Sequence, residues 1–394
     1  MLRLAYFVSH PIQYQAPLLR LIAADPDIQL KVFFYSDFSL QGYQDREFGQ
    51  LIEWDIPLTE GYDYQFLETW GSKQWRSWRR QPIARDILAQ LKQGQFDAIW
   101  VHGWSHICGL QAILAAEQLG IPVLLRGEAH GLREPKHPVK KWAKKAFLNW
   151  IFKKVTGFLY VGTLNRQFYQ SYGVSEECLF PMPYAVNNDF FQKQAMLACT
   201  NREALRQSLN LERSRPIILY AAKLIEKKRP QDLLEAYRLL SPDGCIEPKP
   251  YLLFVGDGAL RSHLEAEVKA IGWHSIRFLG FRNQSELPAI YDLCDVFVLP
   301  SSFEPWGLAV NEVMNTGKAV VVSDQVGCVP DLVVEGKNGR VFTVGDIQAL
   351  AEAIRWAIAH ASSAGNLSLQ QIQDWSFRKD ISGFKLALGS IKPT

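Results

Sequence analysis

Glu304 and Glu312 stand eight residues apart in Ser301-Ser302-Phe303-Glu304-Pro305-Trp306-Gly307-Leu308-Ala309-Val310-Asn311-Glu312. A strand-like run, Asp295 to Leu299, ends at Pro300, and a glycine-containing loop then enters a helix-like stretch from about Leu308. The two carboxylates therefore bracket a helix N-terminus. Free backbone N–H groups and the positive end of the helix dipole suit a phosphate there, whereas carboxylates suit hydroxyl groups. A ligand that carries both is a nucleotide sugar. The alternative is an acidic loop followed by a solvated helix glutamate. Upstream, Tyr220-Ala221-Ala222-Lys223-Leu224-Ile225-Glu226-Lys227-Lys228-Arg229-Pro230 follows a strand and precedes a helix. Lys223 and Lys228, separated by a turn, either converge on a diphosphate and neutralise a leaving group or form a lysine-rich surface turn. Leu252 to Gly258 runs a strand into a Gly-x-Gly turn at Gly256 and Gly258; with no third glycine, these read better as structural glycines than as a dinucleotide fingerprint. Phe278-Leu279-Gly280-Phe281 ends another strand at the same level and offers backbone groups and an aromatic face to a nucleobase.

The elements that must position these residues follow from hydrophobic patterning. Short β-branched or apolar runs alternate with helical patterns throughout, the signature of parallel sheets covered by helices, so the class is α/β. In the first half, strands are expected at Leu2 to Val8, Leu30 to Tyr35, Ala98 to Val101, Val123 to Arg126 and Phe158 to Val161, with helices around 15–24, 80–93, 106–119, 138–153 and 163–172. In the second half, strands are expected near Ile217 to Ala221, Leu252 to Val255, Ile276 to Leu279, Val296 to Leu299, Ala319 to Val322 and Arg340 to Phe342. Two doubly wound, Rossmann-like domains follow, with ligands expected in a cleft at the carboxyl ends of their strands. The expected division is 1–195, 196–365 and a C-terminal helical piece, 366–394. In that last piece, Leu367 to Leu388 reads as one amphipathic helix packing back across the domains. The polar stretch Asn187 to Arg215 is the expected hinge.

Composition bounds the possibilities. A chain of 394 residues with 48% hydrophobic and 21% charged residues is globular and long enough for two cores. Its six cysteines are scattered with no C-x-x-C pair, which argues against zinc and a disulfide framework and fits a reducing cytoplasm. The apolar run Leu4 to Val8 is too short for a signal-peptide core, and no stretch approaches the ~20 apolar residues of a spanning helix. The net charge of +3 is unevenly spread: residues 133–155 carry +7, and the rest sums to −4.

Taken in order, the motifs Ala222-Lys223-Leu224 through Lys228, Val255 to Gly258, Phe278 to Gly280, Val298 to Ser301, Glu304 to Glu312, Gly317 to Val321, Gly327 and Asn338-Gly339 resemble the family 4 (group 1) glycosyltransferases of the two-Rossmann-domain GT-B fold. The resemblance covers nearly all of residues 215 to 345. It is looser in the first half, carried by Phe96 to His102 and Ala185 to Phe191. It implies that Glu304 contacts hydroxyls of the donor sugar and that Glu312 holds the nucleotide ribose. Trp306, Gly307 and Leu308 would give backbone N–H groups to the diphosphate. Lys228 matches the family's lysine, while Lys223 stands where many members have arginine, so one ammonium replaces a bidentate guanidinium. Such enzymes are similar to metal-independent retaining transferases, and no Asp-x-Asp pair is placed at a strand end to hold a divalent ion. No cofactor is expected beyond the nucleotide diphosphate-sugar co-substrate.

Two departures from the family pattern touch the acceptor side. The loop after the first strand reads Ser9-His10-Pro11-Ile12-Gln13-Tyr14-Gln15-Ala16-Pro17 in place of a Gly-Gly loop, so His10 and Gln13 present side chains rather than bare backbone. After Pro122 to Leu125, Glu128 takes the place where many members have a histidine. It either orients or deprotonates an acceptor hydroxyl or forms a salt bridge to Arg126. His102 and His106 lie four residues apart with no third ligand, which favours a sugar-facing polar site over a metal; Trp104 between them either stacks on a pyranose or packs the domain. The basic segment 133–155, with Trp142, Phe147 and Trp150 among its lysines, reads either as an interfacial helix on anionic lipid or as a covering helix with solvated lysines. A second aromatic-basic stretch, Trp70 to Arg80, either lines the same face or binds a charged acceptor, and nucleic acid is disfavoured because no nucleic-acid-binding fold accompanies these patches.

The expected function is retaining, metal-independent transfer of a sugar, a hexose by expectation, from a nucleotide diphosphate-sugar to a hydroxyl of a glycan, lipid-linked or small-molecule acceptor. The expected setting is the cytoplasm, at the inner face of the membrane. The rivals are a sugar phosphorylase, a nucleotide-sugar epimerase, and a non-catalytic nucleotide-sugar-binding protein.

Overall fold

The computed structural model of the protein describes residues 1–40, 42–45, 49–71, 81–132, 137–240 and 249–391. The aromatic-basic stretch beyond Gly71, residues 133–136 of the basic segment, and Cys245 lie outside the described residues. The chain divides into two compact units. The first comprises Met1–Tyr43, Ile56–Tyr184 and Phe377–Thr394; the second comprises Gln44–Asp55 and Ala185–Ser376.

Strands in the first half are Leu2–Val8 (β1), Ile28–Phe34 (β2), Tyr43–Asp45 (β3), Gln50–Ile52 (β4), Asp63–Phe66 (β5), Thr69–Trp70 (β6), Ile83–Ala84 (β7), Ala98–His102 (β8), Val123–Arg126 (β9), Gly157–Tyr160 (β10) and Leu179–Pro181 (β11). The helices between them are Ala16–Ala23 (α1), Ile87–Gly94 (α2), Ile107–Leu119 (α3), Pro138–Phe152 (α4) and Thr163–Ser171 (α5). The main sheet of the first unit has the order β11-β10-β9-β8-β1-β2-β5, with every pairing parallel. β1 lies inside it, and Leu4 to Val8 are completely buried, as a parallel strand covered on both faces requires. The edge strands β5 and β11 were not expected from the sequence. Asp63-Tyr64-Gln65-Phe66 is polar, and Leu179-Phe180-Pro181 contains a proline that only an edge tolerates.

In the second half the strands are Ile217–Ala221 (β12), Tyr251–Val255 (β13), Ile276–Gly280 (β14), Val296–Leu299 (β15), Ala319–Ser323 (β16) and Gly339–Phe342 (β17). They form a parallel sheet of order β14-β13-β12-β15-β16-β17. The helices are Asn188–Cys199 (α6), Arg202–Ser208 (α7), Pro230–Arg238 (α8), Arg261–Ile271 (α9), Leu287–Leu293 (α10), Leu308–Met314 (α11), Val329–Leu332 (α12), Ile347–Ala359 (α13), Ala361–Ile372 (α14) and Phe377–Ser390 (α15). The stretch expected as a hinge thus contains α6 and α7, both within the second unit. Asn187 caps α6 by accepting from the Phe190 N–H at 3.1 Å, and the buried Phe191 packs its ring against Tyr291 of α10.

Each sheet reverses its strand order once, between β1 and β8 in the first unit and between β12 and β15 in the second. Loops leaving the carboxyl ends of such neighbouring strands diverge and leave a crevice, where ligands of doubly wound sheets bind. The loops in question are those after Val8, His102, Ala221 and Leu299, which carry most of the candidate residues.

The single helix expected over Leu367 to Leu388 is two helices. Asn188 donates its amide N–H to the carbonyls of Ile372 and Trp375, terminating α14, and Trp375 turns onto Trp306 with ring centroids 5.1 Å apart. The chain then enters the first unit as α15, which buries Phe377, Asp380, Phe384 and Ala387 at three- and four-residue steps. Phe384 packs on Trp100 of β8, and Gly383 lies so close to the Pro181 carbonyl that a Cβ would sit 1.5 Å from its oxygen. Asp380 faces Arg126, the last residue of β9, at 3.4 Å, and both side chains are fully buried. Burial pushes the Asp380 carboxyl up, and the Arg126 guanidinium opposes that shift. Arg126 also donates to the carbonyls of Met182 and Pro183. Removing one partner of a buried pair leaves the other charge uncompensated. Asp380→Ala is therefore expected to destabilise the first unit by about 3–5 kcal/mol, measured by urea unfolding at pH 8.

Candidate active site

The second unit brings together the residues singled out after β12 and β15. Beyond β12, the Ala222 N–H donates to Val255 at 3.1 Å and the Leu224 N–H to Asp257 at 2.8 Å, so the loop is laid across the end of β13. Gly256 permits this approach, because a Cβ there would lie 2.1 Å from the Ala222 carbonyl oxygen. Its N–H donates to Gly280 at 2.8 Å, tying in the end of β14. Gly256 and Gly280 are structural in this sense. The Phe278 ring is committed to stacking on Phe254, with centroids 5.0 Å apart.

The same loop ends in a 3-10 turn, Glu226–Lys228, followed by Arg229 at φ +50°, a left-handed conformation that a residue with a side chain adopts at a cost. Arg229 bonds Asp232 in the first turn of α8 at 2.6 Å, which holds the bend. The bend sets Lys228, whose ammonium donates to the Glu304 carboxylate as a partly buried ion pair. Next to it, the Ser302 N–H and hydroxyl both donate to the Lys227 carbonyl, at 2.9 and 3.0 Å. Lys223 is partly buried on the same loop, and its carbonyl accepts from the Tyr220 hydroxyl at 2.8 Å.

Glu304 is held by its backbone as well. Its N–H donates to Gln325 and its carbonyl accepts from Gly327, both at 3.0 Å. A Cβ at Gly327 would sit 2.0 Å from the Pro305 carbonyl oxygen, so only glycine allows the two loops to run this close. Gly307, at φ +101°, turns the chain into α11, where Leu308 is the first helical residue. The Trp306 side chain is buried, with its indole N–H donating to Asn311 at 2.8 Å, so it anchors the loop. Glu312, further along α11, accepts from the Tyr291 hydroxyl of α10 at 2.7 Å. Burial pushes the Glu312 carboxyl up to about 7, against the lowering effect of that hydrogen bond.

In the first unit, a polar cluster forms at the β1 and β8 ends. Glu128 accepts from the hydroxyls of Tyr184 and, at 3.4 Å, Tyr14, and lies 3.5 Å from His102 Nε2. Burial raises its pKa, but the hydrogen bonds from His102 and Tyr184 and the charge of Arg126 outweigh that and hold the carboxyl below its ordinary value. The salt bridge to Arg126 is not what Glu128 makes: Arg126 directs its guanidinium to Asp380 and two carbonyls and lies over the Tyr184 ring. The Gln15 amide nitrogen lies 3.2 Å from His102 Nδ1, and its carbonyl oxygen accepts from Tyr6 at 2.7 Å. His10 bonds Ser9 through Nδ1 at 2.9 Å. His10 and His106 are both lowered to about 4, by burial first and then by neighbouring histidines. Gln13 is partly exposed on the same loop as His10.

Trp104 does not join this cluster. Its ring stacks parallel to Phe168 and meets Phe152 and Tyr169 edge-on, and a Cβ at Gly127 would lie 2.3 Å from it. Of its two readings, the structure therefore takes packing. Tyr14, Gln15 and Tyr184 were missed as site residues. The first two lie in the loop already noted for His10 and Gln13, whereas nothing local marks Tyr184, which arrives from a different strand end. Among the described residues, no three His, Cys, Asp or Glu side chains gather in a way that could hold a metal ion.

Residues 201–371 match the family model of glycosyl transferases group 1, a span that contains Lys223, Lys228, Glu304 and Glu312 but not Glu128. Over 177 residues the chain is 29% identical to an uncharacterized glycosyltransferase of Methanocaldococcus jannaschii, covering 45% of this chain and 40% of that protein. Over 225 residues it is 26% identical to the N,N'-diacetylbacillosaminyl-diphospho-undecaprenol alpha-1,3-N-acetylgalactosaminyltransferase of Campylobacter jejuni, covering 57% of this chain and 56% of that protein. The match thus spans about half the length of these curated relatives. Among solved structures, Anabaena HepE in complex with UDP is similar with a TM-score of 0.70 at 18% identity, covering 99% of this chain and all of that one. That likeness extends to both units and is one of fold, the GT-B arrangement of two Rossmann-like domains. The sequence of residues 201–371 thus resembles the group 1 glycosyltransferases, and the fold of the chain is that of GT-B proteins.

Proposed function

We propose that the protein transfers a sugar from a nucleotide diphosphate-sugar to a hydroxyl of a glycan or lipid-linked acceptor, with retention of configuration and without a metal ion. The reading rests on the Lys228–Glu304 pair at the β12/β15 strand reversal. A cation suited to phosphate and a carboxylate suited to sugar hydroxyls are held side by side by two backbone-anchored loops. The donor separates the pair: its diphosphate takes Lys228 and Lys223, and its sugar hydroxyls take Glu304. As the glycosidic bond lengthens, the two ammonium groups and the backbone N–H groups of Trp306, Gly307 and Leu308 stabilise the departing diphosphate. Glu312 accepts from the ribose hydroxyls.

The acceptor is assigned to the first unit, where Glu128, held ionised by Tyr14, Tyr184 and His102, orients the attacking hydroxyl. The relative from Campylobacter jejuni acts, by its name, on a diphospho-undecaprenol-linked sugar, which supports a lipid-linked acceptor.

Glu304→Gln is expected to lower transfer at least about a hundredfold in a protein that remains folded and unfolds cooperatively. Turnover like that of the wild type in the purified variant would overturn the assignment. Donor screening by thermal shift with UDP-, GDP- and ADP-sugars, followed by mass spectrometry of products, separates transfer from the rival reactions. A phosphorylase needs inorganic phosphate, and an epimerase releases no nucleotide.

Glu312 gives a pH signature. Its folded value of about 7 lies above the ordinary 4.5. Its contribution to stability is therefore full below about 4.5 and is lost as pH rises through about 7. Hydroxyl donation by ribose favours the ionised form, so binding of UDP, or whichever diphosphate is preferred, should be up to about tenfold weaker at pH 6 than at pH 8. Glu312→Gln should flatten the profile, and isothermal titration of both proteins subtracts the phosphate's own titration.

A further inference from the structure

Helix α4 has two apolar faces, and its fold uses only one. Leu148, Ile151 and Phe152 are buried in the core of the first unit. On the opposite side, Val139, Trp142, Ala143, Ala146 and Trp150 recur at three- and four-residue steps, with Phe147 beside them, a spacing that lines one face of a helix. Val139 is 64% exposed, Trp142 72%, Phe147 38% and Trp150 47%. The Phe147 and Trp150 rings lie 6.2 Å apart, so the stripe is continuous at this end. A soluble covering helix puts polar residues here, and apolar surface left in water in this pattern marks an interaction site.

The charges say what covers it. Lys140, Lys145 and Lys153 are exposed around the stripe, and from Pro135 to Ser175 the sequence contains no acidic residue. Lys154 stands apart, paired with Glu117. A second copy of the chain meeting this face isologously would set these lysines against each other. Val139, Ala143 and Ala146 offer nothing for bases to stack on, which disfavours single-stranded nucleic acid. A lipid surface satisfies both features at once. The aromatic and aliphatic groups enter the headgroup–acyl boundary, and the lysines meet anionic headgroups.

We propose that the outward face of α4 is an interfacial membrane-docking surface, selective for anionic lipid, which seats the first unit on the bilayer. This assignment stands apart from the sugar chemistry, and it would bring the polar cluster of that unit to a membrane-borne acceptor.

The test is co-sedimentation of the full-length protein with phosphatidylglycerol-rich and with pure phosphatidylcholine vesicles, over a salt series. Binding to the anionic vesicles that weakens as salt rises, and at least about tenfold weaker binding to phosphatidylcholine, is expected. Trp142→Ser with Trp150→Ser, both outward-facing, should lower binding at least about tenfold, and Lys140→Gln with Lys145→Gln roughly fivefold for each lysine lost. Unchanged unfolding midpoints and UDP affinity in the variants would show that the losses come from docking and not from the donor site. Equal binding by the wild type and the tryptophan variant, or a salt-sensitive affinity for oligonucleotides in the absence of vesicle binding, would overturn the proposal. So would a concentration-dependent dimer in sedimentation equilibrium that the tryptophan variant abolishes.

Discussion

The structure depends on one constraint of parallel sheets: consecutive strands are joined by crossovers, and where the strand order reverses, the loops on either side part. In the second unit that reversal sets Ala222–Arg229 beside Pro300–Gly307. Everything else at the site serves to keep two oppositely charged loops together without collapse. The Ser302–Lys227 and Lys228–Glu304 contacts join them, Arg229 holds a left-handed turn, and Gly327 admits a backbone approach that no side chain permits. The first unit meets the same constraint differently. There, the loops after β1 and β8 carry side chains that bond one another, and a network running from Tyr6 through Gln15 and His102 to Glu128 replaces backbone contacts.

The difference between the units explains what could be read from the sequence. In the second unit the chemistry is local. Glu304, Gly307 and Glu312 sit on one strand–loop–helix passage, and Lys223 and Lys228 sit on another, so the order of short local motifs carries the resemblance that implies their roles. The strands there are apolar runs of four or five residues with clear ends, and the structure places them within a residue or two of expectation. In the first unit the partners of Glu128 come from positions 14, 102 and 184, and no window of sequence holds them together. Trp104 shows the reverse difficulty: an aromatic at a strand end is ambiguous until Phe152, Phe168 and Tyr169 are seen around it. The helix break near Trp375 was hidden because the signals that cause it, Asn188 and Trp306, lie far away in the chain.

Charge placement follows the same division. The carboxylate on α11 and the one near β9 are displaced in opposite directions, Glu312 upward and Glu128 downward. Burial acts on both. It prevails at Glu312, whose partner is a neutral tyrosine hydroxyl, and it is outweighed at Glu128 by donors and a nearby guanidinium. One fold thus maintains a carboxyl poised to ionise near neutrality and another that stays ionised.

The placement of α15 bears on how the protein is made. The helix that supplies Asp380 to Arg126 and Phe384 to Trp100 is encoded after the whole of the second unit, although it belongs to the first. During synthesis, residues 1–184 leave the ribosome with a buried arginine still lacking its carboxylate and an aromatic face still uncovered. The second unit has all its strands and helices translated before the first does. A fragment ending before Phe377 would therefore lack the carboxylate and the aromatic ring that complete the first unit.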